Sequence, residues 1–247
     1  MTDSLRVVIV DDEPLARAML REFIAAHPGV DVVAECANGF EAVKAVAEVN
    51  PDLVFLDVQM PKLSGFEVLE LIGRDVPVVF TTAYDQYALR AFEVHAVDYL
   101  LKPFNQERFG EALSRARERL ASREIMPVDG LVSDARPRQG PLERVLIRDG
   151  SQVHVLPVDK IDYVEAQDDY VSFQSEGKSY LKDQTLGVTE GLLDPARFVR
   201  IHRSYLLNID RIARVELYAK DSRVAILRDG KKLPVSRAGY ARLAKLL

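Results

Sequence analysis

Asp57 ends the apolar run Leu53-Val54-Phe55-Leu56, and the acids Asp11-Asp12-Glu13 end another at Leu5 to Val10. If both runs are parallel strands of one sheet, their carboxyl ends lie side by side, where open α/β sheets bind their ligands. Carboxylates crowded there repel one another and need a cation. A hard ion such as Mg²⁺, which takes oxygen ligands and keeps waters and a phosphoryl oxygen, suits them. Two more strand ends complete the set: Val76 to Thr81 runs into Thr82-Ala83, and Val97 to Leu101 runs into Lys102-Pro103. Carboxylates, a hydroxyl and an ammonium from four strand ends suit phosphoryl transfer to a carboxylate, with Asp57 as acceptor and Lys102 neutralising the phosphate.

Each member alone has a plainer reading. Asp11 or Asp12 can cap a helix opening at Glu13-Pro14, Asp57 can be a loop acid, Thr82 a cap and Lys102 a solvated charge. Their joint occurrence at the ends of strands one, three, four and five is far more specific than any member.

The elements that must position this set are legible. Helical periodicity runs through Leu15 to Ala26, Phe40 to Val49, Phe66 to Ile72, Tyr87 to Phe92 and Phe109 to Leu120, between five short strands of which the second is Val30 to Cys36. This is a βα repeat, predicting a doubly wound, flavodoxin-like parallel sheet. Cys36, the single cysteine, is expected in the packed core, as is Leu63 in the Pro61 to Gly65 turn.

Residues 1–122 resemble a bacterial response-regulator receiver domain, through Val-Asp-Asp-Glu-Pro at 10–14, Phe-Leu-Asp-Val-Gln-Met-Pro at 55–61, Gly65, Thr82-Ala83 and Tyr-Leu-Leu-Lys-Pro-Phe at 99–104. The resemblance implies that a histidine kinase phosphorylates Asp57. Asp12, Asp57 and the main-chain carbonyl of Gln59 would hold Mg²⁺, with Asp11 assisting through water. Lys102 would grip the phosphoryl oxygens, Thr82 would move toward them, and Tyr99 would change rotamer as the readout. The Lys102-Pro103 bond is expected to be cis. The surface expected to respond comprises a helix at about Asp85 to Glu93, the strand at Val97 to Leu101 and the helix at about Gln106 to Leu120, and it is the expected face of a phosphorylation-favoured homodimer. Tyr84 is expected to shield the acyl phosphate from water.

Charge divides the chain. Through Glu124 there are 13 Lys and Arg against 21 Asp and Glu, a balance of −8; from Ile125 there are 20 against 17, or +3, giving the whole-chain −5. An acidic sensor joined to a mildly basic, anion-binding output fits this asymmetry. Between the halves, 123–141 carries Pro127, Gly130, Pro137, Gly140 and Pro141 with little periodicity, as an exposed linker does. The N-terminal apolar run is short and meets acids at once, and no run reaches membrane-spanning length, so a cytoplasmic protein is expected.

From Leu142 to Leu247 the period changes. Short alternating runs at 144–147, 152–156, 161–165, 170–174, 178–181, 212–218, 223–227 and 231–235 are broken by Asp149-Gly150, Glu176-Gly177 and Asp229-Gly230, which are hairpin signals. Only Thr185 to Leu193 and Arg237 to Leu247 read as helices, too far apart for a helix-turn-helix. The half is therefore mostly β. Its segments Tyr163 to Val171, Phe198 to Asn208 and Leu233 to Arg237 resemble the LytTR DNA-binding domain of the LytR, AlgR and AgrA regulators. That resemblance implies three loops entering DNA grooves: Asp169 and Tyr170 in the first, His202 and Arg203 in the second, Arg237 in the third, with Lys182 and Arg200 as backbone contacts.

Arg203 and Arg237 can each bind guanine O6 and N7 bidentately. Tyr170, at alternating spacing, also reads as core, and His202 as a structural histidine. Asp168 and Asp169 repel phosphate, so they sit outside the interface or accept from a cytosine amino group. Ala238 stands where relatives often carry a second basic residue. A phosphorylation-controlled transcription factor leads. The alternatives are a receiver whose β domain binds a protein or RNA, and an aspartyl-phosphate hydrolase, against which stands the lack of a second acid, beyond the metal-binding pair, to activate water and of any other catalytic triad.

Overall fold

The computed structural model describes residues 4–73, 75–84, 87, 91, 96–122, 142–219 and 222–246. The expected linker lies outside them, and the helix expected at Asp85 to Glu93 does so largely. The chain forms two compact units.

The first unit alternates β1 (Leu5–Val10), α1 (Pro14–Ala25), β2 (Val30–Cys36), α2 (Gly39–Val49), β3 (Leu53–Asp57), α3 (Gly65–Ile72), β4 (Val78–Thr82), β5 (Asp98–Leu101) and α4 (Gln106–Ser122). The strands lie parallel in the order β2-β1-β3-β4-β5. β3 and β4 are buried along their whole length, which is why their sequences run continuously apolar instead of alternating. β4 begins at Val78, two residues later than the sequence pattern predicts, and it includes Thr82. Asp57 is likewise the last residue of its strand.

Local chemistry starts the helices. Pro14 occupies the first turn of α1, the Asn38 side chain caps α2, and Ser64 and Glu67 form a capping box on α3. On α4 the buried positions Phe109, Ala112, Leu113 and Ala116 form one stripe. It meets Phe55 through a stacked pair of rings 5.0 Å apart. Asp98 ties α4 to β5 through Arg108, at 2.6 and 2.8 Å, and Arg115, at 3.0 Å. Cys36 is buried, and that burial, chiefly, pushes its thiol up to about 11, so it stays protonated in the core.

From Arg144 onward, and for the most part in the second unit, the chain forms β6 (Arg144–Asp149), β7 (Gln152–Pro157), β8 (Ile161–Gln167), β9 (Tyr170–Ser175), β10 (Lys178–Asp183), α5 (Leu186–Leu192), β11 (Phe198–His202), β12 (Tyr205–Asn208), β13 (Ile212–Ala219), β14 (Ser222–Leu227), β15 (Lys232–Val235) and α6 (Arg237–Leu243). A central sheet, β10-β9-β8-β12-β11, accompanies a three-stranded sheet, β13-β14-β15, and the β6-β7 hairpin. Successive residues of a strand face opposite ways. Val164, Leu206 and Phe198 thus join a core with Ile147, Leu156 and Leu186, whereas Tyr163, Leu207 and Val199 join another with Ala225, Leu233 and Leu243. The central sheet is therefore covered on both faces.

The sequence pattern did not foresee β11 and β12 as a hairpin. Their two-residue turn, Arg203-Ser204, contains none of the Gly, Asn or Asp that mark such turns. Next to it, α6 sits hard against β11: the Ser236 amide and hydroxyl both donate to the Ile201 carbonyl, at 2.9 and 3.0 Å. A Cβ on Gly239 would lie 1.9 Å from that same oxygen. Gly239→Ala is therefore expected to lower the stability of the second unit by about 1–3 kcal/mol. Urea unfolding of the full chain should show one transition moved down and that of the first unit unmoved; two unmoved transitions would contradict the packing described.

Candidate functional site

The carboxyl ends of β1, β3, β4 and β5 bring the predicted acids, hydroxyl and ammonium together. Carboxylate oxygens of Asp11, Asp12 and Asp57 all lie within 4.8 Å of one another. Asp11 is fully buried and Asp57 nearly so. Lys102 Nζ lies 2.7 Å from Asp11 Oδ2 and 3.6 Å from Asp57 Oδ2. The Glu13 amide donates to Asp11 Oδ1 at 3.0 Å, and Arg17 donates to the Asp11 carbonyl at 2.7 Å, so the β1–α1 loop is fixed from both sides. The cluster offers hard oxygen donors in a geometry that can hold a metal ion.

Burial is the main reason that the Asp57 carboxyl is pushed up from 3.8 to about 6; the Lys102 ammonium opposes this, and the charge of Asp11 adds to it. Burial alone would lower the Lys102 ammonium, but its hydrogen bond to Asp11 and the charges of Asp57 and Asp11 overcome that and raise it. The charges of Asp11, Asp57 and Lys102 thus act directly on one another.

The loop after Asp57 is shaped by Gly65. A Cβ there would meet the Asp57 carbonyl oxygen at 2.3 Å, and its amide donates to the Val58 carbonyl at 2.8 Å. Only glycine lets α3 start so close to the end of β3. Leu63 is buried in this loop, as expected, and Gln59 is exposed. Thr82 is buried, and its Oγ1 accepts from the Tyr84 amide at 3.4 Å. Tyr99 donates its hydroxyl to the Tyr84 carbonyl. The segment after Thr82 is therefore linked to both the site and Tyr99. A cleft of about 760 Å³ opens over Asp12, Asp57, Gln59, Thr82, Tyr84 and Lys102. The Lys102-Pro103 peptide is cis, as expected.

In the second unit, the residues expected in three loops gather at one end of the central sheet. Asp168 and Asp169 form the tip of the β8-β9 hairpin, with Asp168 at φ 49°. Tyr170 is half exposed at the start of β9, which corrects its reading as core: the alternation holds, but the position lies past the covered part of the sheet. The Ala166 amide donates to the Ser204 carbonyl at 2.9 Å, setting the two hairpin tips side by side. Tyr205 reinforces this by donating to Glu165 Oε1 at 2.7 Å. Arg203 is exposed at the second tip, and Arg237 is exposed at the first position of α6, adjoining Ile201 through Ser236. The Ser204 amide donates to His202 Nδ1 at 3.2 Å, which leaves Nε2 as the proton-bearing nitrogen of the neutral ring.

Lys182 and Arg200 are oriented differently from the expected phosphate contacts. Lys182 Nζ donates to the Leu146 carbonyl at 3.0 Å. Arg200 reaches Glu190 and two main-chain carbonyls of its own hairpin.

Residues 7–114 match the response regulator receiver domain family, and residues 151–247 match the LytTr DNA-binding domain family. An uncharacterized response regulatory protein of Yersinia pestis is 35% identical over 94% of this chain and 94% of its own length. The transcriptional regulatory protein BtsR of Salmonella typhi is 36% identical over 94% of this chain and 95% of its own. The chain belongs to the LytTR response regulators. A further relative, the sensory transduction protein LytT of Bacillus anthracis, is 33% identical over 98% of this chain and 99% of its own. This LytTR response regulator is thus a receiver joined to a DNA-binding regulator of transcription, which is not an enzyme class. Among its described residues no helix is long and apolar enough to cross a membrane.

The raised Asp57 carboxyl has a consequence for stability. Between about pH 4 and about pH 6 the folded chain holds a proton that the unfolded chain has released, so stability falls as pH rises through that window. In a chelator, Asp57→Asn should stabilise the first unit at neutral pH by on the order of 2–3 kcal/mol. Below about pH 4 the gain should vanish. Urea titrations at both pH values check this, and a variant no more stable at neutral pH would contradict it.

Proposed function

We propose that Asp57 is the phosphoacceptor of a histidine kinase and that its phosphorylation controls promoter binding by the second unit. The observation that carries this is the convergence of Asp11, Asp12, Asp57, Thr82 and Lys102 at the carboxyl edge of one parallel sheet. A carboxylate oxygen of Asp57 attacks the phosphorus of a phosphohistidine, the phosphorus–nitrogen bond breaks, and the imidazole leaves. Asp12, Asp57 and the Gln59 carbonyl are the proposed ligands of Mg²⁺, with Asp11 assisting through water. When bound, the ion supplies neutralisation of phosphoryl charge. Lys102 then exchanges part of its contact with Asp11 for the phosphoryl oxygens, and Thr82 turns toward them. The link from Thr82 through Tyr84 to the Tyr99 hydroxyl supports Tyr99 as the readout. Exposed Tyr84 flanks the cleft as a shield against water.

The proposed organisation is a receiver at 1–122, a linker at 123–141 and a LytTR domain at 142–247. Arg203 and Arg237 are the proposed base readers, His202 donates from Nε2, and Asp169 and Tyr170 border the same groove. Their shared end of the sheet supports this assignment. The place of action is the cytoplasm, where a promoter is accessible. Phosphorylation favours a homodimer through β5, α4 and the segment at about Asp85 to Glu93 that the sequence pattern expects as a helix.

Two experiments test this reading. Light scattering of the full chain with acetyl phosphate and Mg²⁺ should give twice the mass of the untreated chain, and Asp57→Asn should stay at the untreated mass; a treated wild type that remains monomeric would reject the dimer. On a duplex selected by the wild-type chain from a randomised pool, Arg203→Ala and Arg237→Ala should each lose about 1–3 kcal/mol of discrimination at one base pair. Unchanged selectivity in both variants would remove them as readers.

A further inference from the structure

The guanidinium of Arg200 is turned into the protein. Nη1 lies 3.1 Å from Glu190 Oε2, Nε donates to the His202 carbonyl at 3.2 Å, and Nη2 donates to the Arg203 carbonyl at 2.7 Å. Its side chain is 23% exposed. Arginine carries its donors in a rigid planar fork, so engaging all three nitrogens inward leaves little of the fork to clasp a phosphate.

The two carbonyls it binds belong to the residues that enter the turn between β11 and β12. That turn, Arg203-Ser204, lacks the residues that favour tight hairpins on their own. Side chains hold it instead: Arg200 from the carbonyl side, and His202 through the Ser204 amide. Glu190 sits on α5, whose Thr189 is buried and hydrogen-bonded to Gln184 and to the Thr185 carbonyl. The tip is thus braced against the body of the unit.

We propose that Arg200 is a positioning residue: through its ion pair with Glu190 it holds the His202 and Arg203 carbonyls so that the Arg203 side chain meets a base edge. It does not itself contact DNA. The inference rests on the reading of this end of the sheet as the DNA interface.

The sign of one substitution separates the two roles. Glu190→Gln removes a negative charge near DNA and releases a cation, which would tighten binding if Arg200 were free to clasp phosphate. A positioning role requires the opposite. The experiment uses the full chain with acetyl phosphate and Mg²⁺, titrated at several salt concentrations against the selected duplex and an unrelated one.

Glu190→Gln should weaken binding to the selected duplex by about tenfold, leave the unrelated duplex unaffected and keep the salt slope of wild type. Arg200→Lys, which keeps the charge but not the fork, should relax discrimination at the base pair read by Arg203, again with an unchanged slope. Tighter or unchanged binding by Glu190→Gln, or full discrimination kept by Arg200→Lys at the base pair read by Arg203, would overturn the proposal. Should Arg200→Lys fail to fold, Glu190→Gln decides alone, since Glu190 is 40% exposed and its loss leaves the core intact. If Arg203→Ala and Arg237→Ala both keep wild-type selectivity, the interface reading itself fails and this proposal falls with it.

Discussion

Mutual repulsion of carboxylates held out of water is the constraint on which the first unit is built. Asp11 and Asp57 are buried within reach of each other and of Asp12, and Lys102 pairs with two of the three. One ammonium does not balance three carboxylates, so the site favours a further cation and donors for whatever the cation brings. The strand order makes this inescapable: β3 lies between β1 and β4, and β5 follows, so the ends that carry Asp11, Asp57, Thr82 and Lys102 converge. Gly65 brings the next helix so close to Asp57 that any side chain there would collide with the backbone of Asp57.

The second unit solves a different problem, that of presenting exposed cations from hairpin tips with rigidity. Two cores clamp the central sheet, one on each face, and the tips project past them. Ile201 is the shared anchor: it is buried, it precedes the His202–Arg203 tip, and its carbonyl takes both donors of Ser236, next to Arg237. Two candidate readers are thereby fixed to one backbone position.

Much of this was legible in the residues. Apolar runs that end in acids, a threonine and a lysine carry their own chemistry, because a buried parallel strand must be apolar until it emerges at the ligand edge. The end of the second unit proposed to meet DNA was legible as a set of residues but not as an architecture. β11 and β12 escaped because Arg203-Ser204 is an unmarked turn, stabilised by Arg200 and His202 and not by backbone-permissive residues. The inward turn of Lys182 toward Leu146, 36 positions earlier in the chain, depends on tertiary contacts that no local pattern encodes. Tyr170 escaped for a related reason, since alternation gives the face of a strand but not where its cover ends. Pro77, with no amide hydrogen to offer, precedes the residue at which β4 begins, two positions later than hydropathy suggested.

The central claim is that one side chain, Asp57, receives the phosphoryl group. Its most direct test is peptide mapping by mass spectrometry of the full chain after incubation with Mg²⁺ and acetyl phosphate. The account predicts a single phosphoryl group, on the peptide containing Leu53 to Met60 and at Asp57 within it; a phosphoryl group found on any other residue, or on none, would contradict it.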